Sequence, residues 1–213
     1  MQLMDVLTDI HWLDAVTTIL GLLYILFEYR ASVMMWVVGF VMQLLDMVLY
    51  YKTGLYADCG MELYYMAATF FGFYNWMRKS GDSEKEPSLR VTHFKRSLIL
   101  PWTAITLVLW GAIYWILVSY TDSKVPLADS FTTALSLVGV WALAQKYLEQ
   151  WFIWIAVDVV TSVLYFYKDI PFKASLYALY VVIAVFGFFK WRKMMMEETN
   201  GGGENGGFET MKP

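Results

Sequence analysis

Glu149-Gln150-Trp151-Phe152-Ile153-Trp154-Ile155-Ala156-Val157-Asp158, continuing through Ser162 to Tyr165 and Tyr167, is the stretch from which the rest of this sequence is read. A helix advances about 100° per residue, so Trp151, Trp154, Asp158, Ser162 and Tyr165 fall within about 80° of one another. The other side carries Phe152, Ile155, Ala156, Val159, Val160 and Val163 and is apolar throughout. Two indoles, a carboxylate, a hydroxyl and a phenol thus share a stripe whose reverse suits lipid or packed protein. Electron-rich rings beside a negative charge suit a flat, cationic organic solute, through stacking and cation–π attraction. A second reading stands beside this one: tryptophans also anchor helices at membrane interfaces. Asp158 favours the first, because an intramembrane carboxylate is costly unless paired or solvated and usually marks a path or a site.

Composition supports a bilayer setting. Of the 213 residues, 59% are hydrophobic and 18% aromatic, against about 45–50% apolar in soluble domains. The net charge of −3 offers nothing to a nucleic acid. Cys59 is the single cysteine and His11 and His93 lack ligand spacing, so neither a disulfide nor a metal site is expected. The first residues lack the basic region and cleavage site of a signal peptide. No Gly-rich run ends in Gly-Lys-Ser/Thr, and no nucleophile elbow or zinc helix occurs, so neither a nucleotide-driven pump nor an enzyme is expected, and no cofactor. A retinal-binding lysine is also missing, since Lys190 stands at the end of the last span.

The pattern predicts an all-α polytopic membrane protein with seven transmembrane helices. A short N-terminal segment (1–12) leads into three spans within 13–76. A charged, solvated loop with Pro87 (77–97) precedes a uniformly apolar fourth span (98–119). Three more spans lie within 127–191, and a tail (192–213) with a Gly-rich, disordered end from Glu197 closes the chain.

The two triplets of spans repeat each other. Asp14-Ala15-Val16-Thr17-Thr18 reappears 115 residues later as Asp129-Ser130-Phe131-Thr132-Thr133. At that offset Trp36 falls on Trp151, Val48-Leu49-Tyr50 on Val163-Leu164-Tyr165, Phe71-Gly72-Phe73 on Phe186-Gly187-Phe188, and Trp76 on Trp191. Three spans plus one unmatched linker give both halves the same orientation, a 3+1+3 parallel repeat about an axis along the membrane normal. The site is then expected between the halves near mid-membrane.

The same offset pairs Asp158 with Gln43 and Trp154 with Gly39, so one half alone carries the charge and the second indole. Asp58, Glu62, Tyr65 and Thr69 line one face of the third span. Glu62 reads either as a ligand contact or as a hydrogen bond to a neighbouring helix, and Asp46 as pore-lining or paired. The expected substrate-lining set is Trp151, Trp154, Asp158, Ser162, Gln43, Glu62 and Tyr65. Asp14 and Asp129 read as helix caps. With the N-terminus outside, twelve of the sixteen lysines and arginines fall on inward segments and four on outward ones, which predicts N-terminus out and C-terminus in.

The pattern Glu-x-Trp-x-x-Trp-x-x-x-Asp, Leu55-Tyr56-Ala57-Asp58, the run Gly60 to Tyr65, and Phe-Gly-Phe-Tyr-x-Trp closing the third span resemble the PnuC family of vitamin transporters. The resemblance covers about residues 12–193. It implies a SWEET-like fold, location in a bacterial cytoplasmic membrane, and facilitated uptake of nicotinamide riboside, with thiamine as the alternative. It also implies a cytoplasmic kinase that traps the substrate, a homotrimer, and a substrate site lined by Trp151, Trp154 and Asp158. Many relatives carry an amide at Asp158 and a glutamine at Glu62. The competing class is a non-transporting receptor or assembly subunit whose stripe is helix packing.

Overall fold

The computed structural model describes residues 16, 18–52, 56–78, 89–167 and 171–204. Seven helices occur among them: α1 (Thr18–Tyr29), α2 (Met34–Lys52), α3 (Tyr56–Met77), α4 (Arg96–Tyr120), α5 (Pro126–Ala144), α6 (Gln150–Tyr167) and α7 (Pro171–Glu204). No strand occurs among the described residues, and one isolated parallel bridge joins Thr92 to Tyr147. α4, α5, α6 and the Lys173–Glu197 part of α7 are long and apolar enough to cross a membrane, and α1 and α2 are shorter apolar helices. The chain divides into two compact units, up to Leu89 and from Arg90 onward. In the first, α2 packs on α3; in the second, α4 packs on α5, α5 on α6 and α6 on α7.

Within each unit the same local structure recurs at the offset of 115 residues. α1 ends where Ser32 N–H donates to Phe27 C=O (2.9 Å) and Ala31 N–H to Glu28 C=O (2.8 Å). α5 ends where Tyr147 N–H donates to Ala142 C=O (3.0 Å) and Lys146 N–H to Leu143 C=O (2.8 Å). Both are Schellman closures, which need a left-handed residue after the last turn. Ala31 (φ 50°) and Lys146 (φ 57°) take that conformation although neither is glycine. The next helices then start alike, with Trp36 N–H on Val33 C=O (3.1 Å) and Trp151 N–H on Leu148 C=O (3.4 Å).

Each unit is locked by one indole. The Trp36 ring meets Trp76 edge to face, with centroids 5.6 Å apart at 88°. Trp151 meets Trp191 at 5.5 Å and 88°. All four are essentially fully buried. The indoles reach this depth because the facing helix has no side chain there. A Cβ at Gly187 would stand 2.5 Å from Trp151 Cη2, and one at Gly72 would fall on the Trp36 ring.

Three expectations change. Asp129 does not cap α5: the helix starts earlier, at Pro126, whose fixed φ suits the first position, and no side chain caps Val125. Asp129 instead lies in the first turn and accepts a hydrogen bond from Ser123 Oγ at 2.8 Å. α7 continues past the predicted end of the last span, so residues 197–204 of the expected disordered tail are helical. Lys190 to Glu197 are mostly strong helix formers, and Lys193 pairs with Glu197 one turn on (3.6 Å). The tail from 205, the N-terminal segment with Asp14, and residues 79–88 of the loop lie outside the described residues. Finally, the rest of the loop before α4 is not simply solvated. Thr92 pairs with the α5–α6 turn through Leu148 N–H (2.9 Å), and Glu149 accepts hydrogen bonds from Phe94 N–H (2.8 Å) and engages His93 Nδ1 (2.7 Å).

Candidate functional site

α6 has two faces, as its sequence requires. Gln150, Trp151, Val157, Asp158 and Ser162 are buried, whereas Phe152, Val159, Val163 and Phe166 are exposed. The apolar reverse of the stripe is therefore the open one, and the stripe itself faces protein.

The residues of the stripe have distinct surroundings. Trp151 is closed in by Gly187 and Trp191, which makes it a packing wedge. Trp154 is half-buried over Gly139 of α5, where an added Cβ would come within 3.3 Å of the indole Cζ2. Its indole N–H has no hydrogen-bond partner. Asp158, one turn on, is 7% exposed. No hydrogen bond or ion pair reaches its carboxylate among the described residues, and the Tyr180 phenol of α7 lies within its electrostatic reach. Ser162 is committed to structure, donating to the Ala174 carbonyl at 2.8 Å. Tyr165 stacks on Tyr177 (5.4 Å, 23°) with Lys173 Nζ 5.7 Å from its ring centroid, so that ring already has a cation.

Gln150 joins this face although it is not in the expected lining set. It is fully buried, and neither its Nε2 nor its Oε1 has a partner. A buried amide without partners costs about 1–3 kcal/mol. Gln150, Trp154 and Asp158 stand four residues apart, one above another on the helix, and each ends in a polar group with no hydrogen bond among the described residues. The signal was present: a glutamine on the packed face of an apolar helix, in register with Trp154 and Asp158.

The first unit holds the other expected residues. Gln43 and Thr69 are tied by their side chains, with Gln43 Nε2 donating at 2.8 Å and the Thr69 hydroxyl 3.2 Å from Oε1. Glu62 is buried, and Tyr65 meets Tyr64 edge to face at 5.6 Å. The side chain of Asp58 lies outside the described residues.

The offset of 115 also exposes an exchange of bulk. In the first unit an aromatic ring on α1, Tyr24, lies against Gly39 of α2, where a Cβ would stand 3.0 Å from Cε2. Gly139 corresponds to Tyr24 and Trp154 to Gly39, so the second unit fills the same place from the opposite helix. The swap moves the ring onto the helix that bears Asp158. No group of His, Cys, Asp or Glu suited to a metal ion occurs among the described residues.

The family model described as nicotinamide mononucleotide transporter matches residues 11–193. The nicotinamide riboside transporter PnuC of Escherichia coli (strain K12) is 23% identical over 207 residues, with 86% of each chain covered. The riboflavin/roseoflavin transporter RibM of Streptomyces davaonensis is 28% identical over 191 residues, covering 87% of this chain and 88% of that one. A crystal structure of the vitamin B3 transporter PnuC superposes with a TM-score of 0.69 at 23% identity, over 92% of this chain and 87% of that chain. The likeness in fold agrees with the all-helical, multi-pass reading.

Proposed function

Because the chain belongs to the nicotinamide mononucleotide transporter family, we propose that it carries a cationic aromatic vitamin inward, nicotinamide riboside first, by facilitated diffusion. The chain is thus a multi-pass membrane transporter and not an enzyme. The observation that carries the substrate reading is the buried Asp158 carboxylate, without a hydrogen bond or ion pair among the described residues, one turn from the half-buried Trp154 indole. An unpaired carboxylate in a low-dielectric site either takes up a proton or meets a cation. A pyridinium ring supplies the charge and a flat face for the indole together.

In this reading Trp154 stacks on the ring, Asp158 answers its charge, and Gln150 stands one turn before the indole with amide atoms free for the solute's polar groups. Gln43, Glu62 and Tyr65 are the polar residues the first unit would offer the solute, while Ser162 and Trp151 hold α6 against α7. The halves form a SWEET-like parallel repeat, with the N-terminus outside and the C-terminus in the cytoplasm of a bacterial cell. Uptake is downhill, a cytoplasmic kinase retains the product, and the working form is a homotrimer. Thiamine, another aromatic cation, is the alternative substrate in the same chemistry. Riboflavin follows from the RibM relative, but its neutral ring leaves Asp158 unanswered.

Calorimetry on the purified protein tests the charge pairing. Asp158→Asn keeps a hydrogen-bond acceptor and removes the charge. It should weaken nicotinamide riboside more than its neutral, reduced-ring analogue. An equal affinity ratio for the two ligands in wild type and mutant would leave the carboxylate with no more than a hydroxyl contact.

A further inference from the structure

Gln43 and Asp158 occupy corresponding positions, yet one is tied and the other is not. The tie is Thr69, 5% exposed, whose hydroxyl is within hydrogen-bond distance of both amide atoms of Gln43. The residue 115 positions after Thr69 is Ala184, 1% exposed. The facing helices keep the same antiparallel register in each unit, since Trp36 meets Gly72 and Trp76 just as Trp151 meets Gly187 and Trp191. Residue 184 therefore stands toward Asp158 as Thr69 stands toward Gln43, but it brings a methyl in place of a hydroxyl.

We propose that Ala184 is a specificity-determining residue of the vitamin site: by withholding the hydroxyl that Thr69 supplies, it keeps the Asp158 carboxylate uncommitted and available to a cationic solute. A hydroxyl there would donate to the carboxylate, spread its charge into the helix pair and draw it away from the ring stacked on Trp154. The first unit shows the committed version of the same pair, and the second unit the open one. This inference rests on the proposed function, in that it takes Asp158 as the partner of the substrate's charge.

The test uses the full-length protein in detergent and calorimetric affinity for nicotinamide riboside. Ala184→Thr introduces the hydroxyl, and Ala184→Val introduces the same bulk without it. Ala184→Thr should bind about tenfold more weakly than Ala184→Val, the size of one hydrogen bond to a charged group. Without ligand, Ala184→Thr should also melt above Ala184→Val, because the hydroxyl finds its partner. If the branched side chains do not fold, Ala184→Ser and Ala184→Cys give the same comparison with less bulk. Equal affinities within either pair would overturn the role of Ala184, while the charge pairing would survive if Asp158→Asn still weakens the cation. If Asp158→Asn leaves cation binding unchanged, the functional reading fails and this inference falls with it.

Discussion

The two indoles of α6 look interchangeable in the sequence and differ in the folded chain. Both indole N–H groups lack a hydrogen-bond partner, but Trp151 is sealed between Gly187 and Trp191, whereas Trp154 keeps an accessible portion of its ring. Base–aromatic stacking is worth about 1–3 kcal/mol per ring, so Trp154→Ala should weaken binding about tenfold or more, with partial recovery in Trp154→Phe. Phe152→Ala, on the exposed face, should scarcely change affinity, and equal losses at Phe152 and Trp154 in calorimetry would contradict the facing assigned to α6. Trp151→Ala should act on folding instead. Truncating a buried tryptophan typically costs about 3–5 kcal/mol, and thermal melting should fall accordingly. The helical period reveals which residues share the stripe, because that depends only on spacing. It does not separate a ring that packs from a ring that waits, because that depends on what stands across the helix pair: Gly187 with Trp191 encloses Trp151, whereas Gly139 leaves Trp154 half-buried.

That glycine sets the helix-pair geometry at the scale of elements. Gly187→Ala should force the Trp151 ring to move, at about 1–3 kcal/mol for overpacking, and Gly72→Ala should do the same at Trp36. Gly111→Ala in α4 meets nothing within 4 Å and serves as the comparison. If all three variants melt together, the indole–glycine lock is not what holds these pairs. The recurrence of Phe-Gly-Phe and of Trp76 as Trp191 was readable as repetition, and so were the seven helices, four of which are long and apolar enough to cross a membrane. The lock itself was not, since it joins residues 36 positions apart (151 and 187) that no periodicity within one helix connects. The start of α5 was misplaced for a related reason: Pro126 competes with Asp129 as the start signal, and the proline's fixed backbone wins. Gln150 does not stand out as a site residue in the sequence because a glutamine in a first helical turn is ordinary, and its significance appears only once its amide is buried without partners.

The whole chain carries its basic residues unevenly, and this predicts that the 78–96 loop and the segment after Trp191 share the cytoplasmic side. Single cysteines placed in each, on a Cys59→Ser background, should resist an impermeant reagent in intact cells; labelling of either one would reverse the topology. Family membership and the seven-helix fold were legible from the quoted motifs, because the Trp-x-x-Trp-x-x-x-Asp element and the 115-residue repeat are both specific. The identity of the vitamin was less so, because ring charge and Asp158 constrain its class more than its substituents. On the proposed function this transporter equilibrates a cationic vitamin without an energy source. Purified protein in liposomes, with no kinase, nucleotide or ion gradient, should bring labelled nicotinamide riboside to equal concentration inside and outside, at a rate reduced by Trp154→Ala and Asp158→Asn. No uptake above protein-free liposomes, or accumulation beyond equality driven by an imposed proton or sodium gradient, would contradict it.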